Sequence, residues 1–332
     1  MQKQLKELSL HSTEPSILSL RRDITVLAFI SLLQIAISLI LQLLIKLVTK
    51  AGYFNPASNQ RLAPYLISAS EMVSYFLTLF LPIFFISVLV KYPLPYKNIR
   101  LKPSLPPYTF LMIGASVGVL YAAGYVINEF IVPYTNETAS VPLFSTSIGG
   151  VIISFFSAVI LPAILEEIIY RGFFLQTLLP YGKASAVIIS GLLFGIMHLR
   201  FSQLFYATVA GILIGYFTVK GGSLWIGVLI HLTNNLLSFS REAIREICGN
   251  SHLFMIADRL IGCGVLAFGA ISILLLLRLH SMGTFTSLEP HAKYEVPLRM
   301  QTVIPNCLTP LMVMYLVIAV YMIYTASFSA AF

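Results

Sequence analysis

The chain has 332 residues, of which 58% are hydrophobic and only 10% are charged, and its formal net charge is +8. A soluble domain carries about 25% charged residues, so this composition excludes a water-soluble enzyme, a disordered chain and a nucleic-acid-binding domain. The sequence instead predicts an all-α fold, a polytopic transmembrane helix bundle of about eight or nine spans.

Nine apolar segments in chain order predict the spans, because a helix needs about 20 apolar residues to cross a bilayer. They are residues 24–47, 65–90, 108–132, 147–165 with a polar-marked extension to 178, 184–199, 204–219, 223–239, 260–279 and 304–326. We group them into N-terminal membrane helices in 1–146, candidate catalytic helices in 147–240 and C-terminal membrane helices in 241–332.

The basic residues predict how the bundle is oriented, because positive charges are retained on the cytoplasmic side of a membrane. The 21 Lys and Arg residues divide 13 on the side of the N-terminus, 7 on the opposite side and 1, Arg171, inside a span. We therefore expect a multi-pass protein of the cell membrane with a cytoplasmic N-terminus. The basic charge is explained by this topology, and no nucleic-acid partner is predicted.

Polar side chains interrupt three successive apolar helices in the segments LPAILEEIIYRGFF, FGIMH and HLTNN. An ionisable group at membrane depth costs at least about 2.5 kcal/mol, so it usually faces the bundle interior or a wet cavity. Glu166, His198 and His231 lie about 18, 21 and 12 Å from the predicted cytoplasmic helix ends. Asn235 lies at about the depth of Glu166. These depths predict one polar catalytic cavity inside the membrane.

Helical spacing assigns partners within this group. Glu167 and Arg171 are four residues apart, which predicts an ion pair on one helix face. Glu166 then points about 100° away around the helix and can have a different role. His231 and Asn235 are also four apart and share a face.

Small residues recur at the same spacing on the two helices that follow. Gly191 and Gly195 lie on one of them, and Gly211 and Gly215 lie on the next. Such spacing lets helix backbones approach closely in membranes, so we expect another helix to pack closely beside His198 and the bundle to be compact.

Two kinds of chemistry fit the polar group. A carboxylate and a histidine that share a water molecule can deprotonate it, and a second histidine with an amide can bind the resulting oxyanion. This arrangement suits amide hydrolysis without a covalent intermediate. Alternatively, Glu166, His198 and His231 could hold Zn²⁺ with an open position for water.

The same residues also have a structural interpretation, because His and Asn in membrane helices often form interhelical hydrogen bonds. The alternative function is a catalytically silent bacteriocin-immunity, scaffold or transport membrane protein. Several such residues on three helices at compatible depth favour chemistry, because leucine would fill a purely structural bundle without burying polar groups.

The three segments resemble the CAAX-protease and bacteriocin-processing family of intramembrane proteases, also called the Abi family. The resemblance covers residues 147–240 and rests on three motifs in order, EExxxR at 166–171, FxxxH at 194–198 and HxxxN/D at 231–235. By this resemblance, Glu166 and His198 would activate the water, and His231 and Asn235 would stabilise the oxyanion. The supporting residues would be Glu167, Arg171 and Phe194.

The resemblance also implies an activity and partners. The chain is expected to be an intramembrane protease like the CAAX prenyl endopeptidases. It would cleave a membrane-associated protein or peptide while in contact with membrane lipid. The family implies either a metallopeptidase that uses Zn²⁺ or a glutamate-dependent enzyme without a metal, and the sequence leaves both open. It also leaves open whether the substrate is prenylated.

Overall fold

The computed structural model describes residues 16–50, 63–92, 107–137, 148–249, 251–284 and 298–328. The helices are α1 (Ile17–Lys50), α2 (Ala63–Leu89), α3 (Thr109–Phe130), α4 (148–178), α5 (Lys183–Ile196), α6 (Phe201–Gly221), α7 (Leu224–Cys248), α8 (His252–Ser281), α9 (Met300–Asn306) and α10 (Pro310–Phe328). These ranges contain no β-strand, and the predicted all-α polytopic bundle is confirmed.

Seven helical segments are long and apolar enough to cross a membrane. They are Ile17–Val48, Met72–Leu89, Thr109–Tyr134, Gly149–Tyr181, Phe201–Gly221, His252–Ser281 and Pro310–Phe328. The other two predicted spans correspond to helices of which one is too short and the other too polar to belong to this set. Helix α5 has only 14 residues, and the 25-residue α7 carries the polar HLTNN segment and charged residues near its end. The chain is a multi-pass membrane protein.

Helix α4 is not a regular α-helix along its length. Two π-helical segments, Phe156–Ile160 and Tyr170–Leu175, flank the α-helical stretch Leu161–Ile169. A π-helical turn contains an extra residue and is frequent at functional sites. The flanked stretch carries Glu166 and Glu167, so the π-helical turns change the direction of side chains on either side of the two carboxylates.

Helices α5 and α6 pack as an antiparallel pair with their backbones in contact. A Cβ atom added to Gly211 would lie 2.8 Å from Gly191 Cα, and one added to Gly195 would lie 2.7 Å from the carbonyl oxygen of Leu204. The predicted close approach is therefore confirmed. It fixes the end of α5, which carries Phe194 and leads into His198, against the start of α6.

We expect Gly211→Ala to lower the thermal stability of the purified protein in detergent, because its new methyl group meets the backbone of Gly191. Overpacking of this kind costs about 1–3 kcal/mol. The matched control is Gly215→Ala, one turn further along α6, where the nearest neighbour of an added Cβ is Val187 Cγ1 at 3.6 Å. Equal unfolding temperatures for the two variants would contradict the proposed tight contact.

A carboxylate outside the spans holds the start of α6. Glu137 follows α3 and accepts hydrogen bonds from the hydroxyls of Ser202 and Ser327, the latter at 2.5 Å. Burial alone would raise the pKa of Glu137, but these two bonds, a backbone bond from Ser202 and the charge of Arg200 outweigh it and lower the pKa. The carboxylate thereby joins the end of α3 to α6 and to the end of α10.

Candidate active site

Helix α4 buries three charged side chains in the bundle interior. Glu166, Glu167 and Arg171 are 5%, 0% and 1% exposed, and the middle of α4 packs against α2 and α7. A charge buried at membrane depth is destabilising unless it is paired and hydrogen-bonded. The contacts of each of the three side chains therefore decide what the group can do.

Arg171 is satisfied by contacts from three helices. Its Nη1 donates to Glu167 Oε1 at 2.9 Å, which confirms the predicted ion pair within α4. Its Nη2 donates to the carbonyl oxygen of Gly211 on α6 at 3.1 Å. The guanidinium lies 4.5 Å from the ring centre of Phe194 on α5, in a cation–π contact. Arg171 therefore joins α4 to the α5–α6 pair and neutralises Glu167.

His231 on α7 lies between the two carboxylates. Its Nδ1 is 2.9 Å from Glu167 Oε1, and its Nε2 is 3.8 Å from Glu166 Oε2. Because a carboxylate can only accept, Nδ1 carries a proton and donates to Glu167, which leaves Nε2 facing Glu166. A separation of 3.8 Å is too long for a direct hydrogen bond and suits two groups that share a water molecule.

The other oxygen of Glu166 has a partner that sequence reasoning missed. The hydroxyl of Tyr75 on α2 donates to Glu166 Oε1 across a sequence separation of 91 residues. The surrounding α2 sequence holds the polar residues Glu71, Ser74 and Thr78 within an apolar span, which is a sequence signal near Tyr75. Glu166 is thus held on one side by Tyr75 and faces His231 on the other.

His198 reaches the group through an aromatic ring. It is half-buried just after α5, and its Nδ1 is 2.8 Å from the carbonyl oxygen of Phe194, so Nδ1 carries the proton and Nε2 is an acceptor. The ring of Phe194 lies edge-on to His198 at 5.1 Å and to His231 at 6.0 Å. Within the described residues no nitrogen of His198 lies within 4.0 Å of a Glu166 oxygen.

The two asparagines on α7 differ in their contacts. Asn234 Oδ1 accepts a hydrogen bond from the hydroxyl of Tyr206 at 2.7 Å, which the sequence did not predict. Asn235 is half-buried one turn after His231, and its side chain makes no hydrogen bond in the described parts of the chain. The structure therefore brings Glu166 and the predicted supporting residues to His231, with His198 and Asn235 next to this group.

The three predicted zinc ligands do not form a donor set. No group of three or more His, Cys, Asp or Glu side chains that could hold a metal ion occurs within the described residues. His231 directs Nδ1 to Glu167, and His198 stands apart from Glu166. The residues present do not fit Zn²⁺ in this arrangement, so zinc stays a prediction and no step below is routed through a metal.

Comparison with known proteins gives one match. Residues 148–237 match a family model described as type II CAAX prenyl endopeptidase Rce1-like, and this range holds every predicted site residue from Glu166 to Asn235. No curated protein and no solved structure matches the chain. The resemblance found in the three motifs is therefore confirmed: residues 148–237 of this multi-pass membrane protein are similar to the type II CAAX prenyl endopeptidase Rce1-like family.

Proposed function

We propose that the chain is an intramembrane endopeptidase in which Glu166 activates the attacking water for hydrolysis of a membrane-associated protein or peptide. One observation carries the proposal. Glu166 is buried in the bundle, with one carboxylate oxygen bound by Tyr75 and the other 3.8 Å from His231 Nε2. A buried carboxylate and an imidazole this close can both hydrogen-bond one water molecule placed beside them, which positions the carboxylate as a general base.

The charge balance of the buried group supports proton transfer at this place. Arg171 and Glu167 form an ion pair and cancel each other. Glu166 as a carboxylate and His231 as an imidazolium also sum to zero, and so do the carboxylic acid and the neutral imidazole. A proton can therefore move between Glu166 and His231 without leaving a net charge in the low-dielectric interior, where unpaired charge is costly.

The proposed reaction follows from these positions. Glu166 Oε2 accepts a proton from water, and the water oxygen adds to the carbonyl carbon of the scissile peptide bond. His198 assists through the lone pair on Nε2, which its bond to the carbonyl of Phe194 leaves free to accept. Protonated His231 donates from Nε2 to the oxyanion, together with the amide of Asn235.

The tetrahedral intermediate then collapses. Its C–N bond breaks, and the leaving amine nitrogen takes the proton that Glu166 accepted, which returns the carboxylate to its starting state. Glu167 holds His231 in the orientation that this sequence needs, because its carboxylate binds Nδ1–H. Arg171 keeps Glu167 in place as an anion.

Comparative membrane proteomics of cells that express the wild type or Glu166→Ala tests the proposed function. We expect one membrane-associated precursor to accumulate uncut with Glu166→Ala, because the variant lacks the proposed base. The matched control is Glu246→Ala, which removes an exposed carboxylate on α7. Identical peptide termini in wild-type and Glu166→Ala cells, at equal protein levels, would favour the catalytically silent alternative.

A further inference from the structure

A cavity of about 350 Å³ lies next to the candidate active site, and most of its lining residues lie outside the segment that matches the family model. Its walls come from α1, α2, the turn between α5 and α6, and α10. Tyr75, whose hydroxyl binds Glu166, lines this cavity, and so do Met197 and Leu199, the two neighbours of His198. Glu166 and His198 do not line the cavity themselves, but a residue that contacts Glu166 and both chain neighbours of His198 do.

One wall of the cavity is a row of polar side chains on α1. Ser31, Gln34, Ser38 and Gln42 all line the cavity, and their spacing of three or four residues places them on one helix face. The row runs over about 16 Å, the rise of 11 helical residues. An extended polypeptide covers this distance with about five residues at 3.3 Å each.

Gln34 is the residue of this row whose contacts indicate that a ligand binds here. Its side chain is only 6% exposed, and its Oε1 accepts a hydrogen bond from the Tyr170 hydroxyl at 3.5 Å. Its Nε2 is buried and has no hydrogen-bond partner within the described residues. By contrast, Gln42 Nε2 donates to Ser38 Oγ at 3.1 Å. A buried donor without a partner is destabilising, and a turn of the Gln34 amide toward the cavity that this residue lines would let an acceptor on a ligand relieve the cost.

We propose that this cavity binds an extended segment of the substrate polypeptide and that Gln34 Nε2 donates to one of its backbone carbonyl groups. An acyl chain offers no acceptor, and a helical segment uses its carbonyls internally, so the unpaired amide selects unwound peptide. Gln34 is then a positioning residue that holds the chain while its scissile carbonyl lies beside Glu166. This inference rests on the proposed endopeptidase function.

Photo-crosslinking of a defined peptide tests the location. The full-length protein carries Glu166→Gln, which prevents cleavage, and benzoylphenylalanine replaces either Gln42 in the cavity or Leu43, which is 57% exposed on the outer face of α1. The probe is a farnesylated peptide ending in a CAAX sequence, in phosphatidylcholine vesicles. We expect at least a fivefold higher peptide cross-link yield at position 42.

Kinetics of the same peptide test Gln34. In the otherwise wild-type protein, we expect Gln34→Met to raise KM about three- to tenfold and to leave kcat within about twofold, the effect of one lost neutral hydrogen bond. Leu39→Met, on the lipid-facing side of α1, is the folding control and should leave both constants unchanged. A merely structural role for Gln34 would lower the unfolding temperature and leave KM unchanged.

The outcomes separate this inference from the proposed function. Equal peptide cross-linking at positions 42 and 43, or cross-linking to lipid alone, would refute the peptide subsite even if the wild type cleaves the probe. An unchanged KM in Gln34→Met would refute the role of Gln34. A strong peptide cross-link at position 42 in a protein whose wild type cleaves nothing would support the subsite and refute the endopeptidase.

Discussion

Glu166→Gln should lower kcat for peptide cleavage by about 10²–10⁴-fold in the purified protein, the usual contribution of a positioned general base. The glutamine keeps the shape of the side chain and can still accept the hydrogen bond from Tyr75 through Oε1. Its amide cannot take a proton from water. Fold and substrate binding should therefore persist while the chemical step fails.

The assay follows product formation from a quenched fluorescent version of the farnesylated CAAX peptide, with KM and the unfolding temperature measured on the same samples. The matched control is Glu246→Gln, which replaces an exposed carboxylate on α7 with an amide and should retain full activity. A Glu166→Gln variant that unfolds at the wild-type temperature and cleaves at the wild-type rate would show that another group activates the water.

Local spacing predicted the parts of the site that lie within one helix or one helix pair. The ion pair between Glu167 and Arg171 follows from a separation of four residues, and it is present at 2.9 Å. The close approach of another helix at Gly191 follows from small-residue spacing, and the structure supplies Gly211 as its partner. Such contacts depend on helical geometry that the sequence alone specifies.

The partners of Glu166 could not be predicted in the same way. By the resemblance, Glu166 and His198 activate the water together, and depth estimates place both His198 and His231 within about 6 Å of the level of Glu166. In the structure His231 is the imidazole that faces Glu166. Depth fixes a position along the helix axis and says nothing about rotation around it. The π-helical turns in α4 add a rotation that regular helical spacing omits.

The sequence also could not predict contacts between distant parts of the chain. Tyr75 meets Glu166 across 91 residues, and Tyr170 meets Gln34 across 136 residues. Neither α1 nor α2 belongs to the segment that resembles the family, so no motif indicates that Gln34 or Tyr75 contacts the site. A tyrosine or glutamine in an apolar span has many possible partners, and only the packing of the bundle selects one.

The cavity also bears on the predicted orientation. Tyr181 at the end of α4 donates to Asp23 near the start of α1 at 2.7 Å, which places these two helix ends at the same level. The cavity lies along residues 31–45, in the later part of α1, and so extends from Glu166 away from that level. With the predicted cytoplasmic N-terminus, the cavity would extend from the level of Glu166 toward the outer half of the membrane.

Arg171→Met should destabilise the folded protein by about 3–5 kcal/mol, the usual cost of removing one partner from a buried ion pair. The variant leaves the Glu167 carboxylate buried with His231 as its remaining partner, and it also removes the hydrogen bond to Gly211 and the contact with Phe194. Unfolding by denaturant in detergent micelles measures the change in free energy. Arg245→Met, which breaks a half-buried pair with Glu242 within α7, should change the free energy of unfolding by less than about 1 kcal/mol.

A second substitution separates the charge from the packing of Arg171. Glu167→Gln added to Arg171→Met removes the unpaired negative charge and keeps an oxygen that can accept from His231 Nδ1. We expect this double variant to regain a large part of the lost free energy, because a neutral amide is far less costly to bury than a carboxylate. If the double variant is less stable than Arg171→Met alone, the main role of Arg171 is to hold α6 and Phe194 rather than to neutralise Glu167.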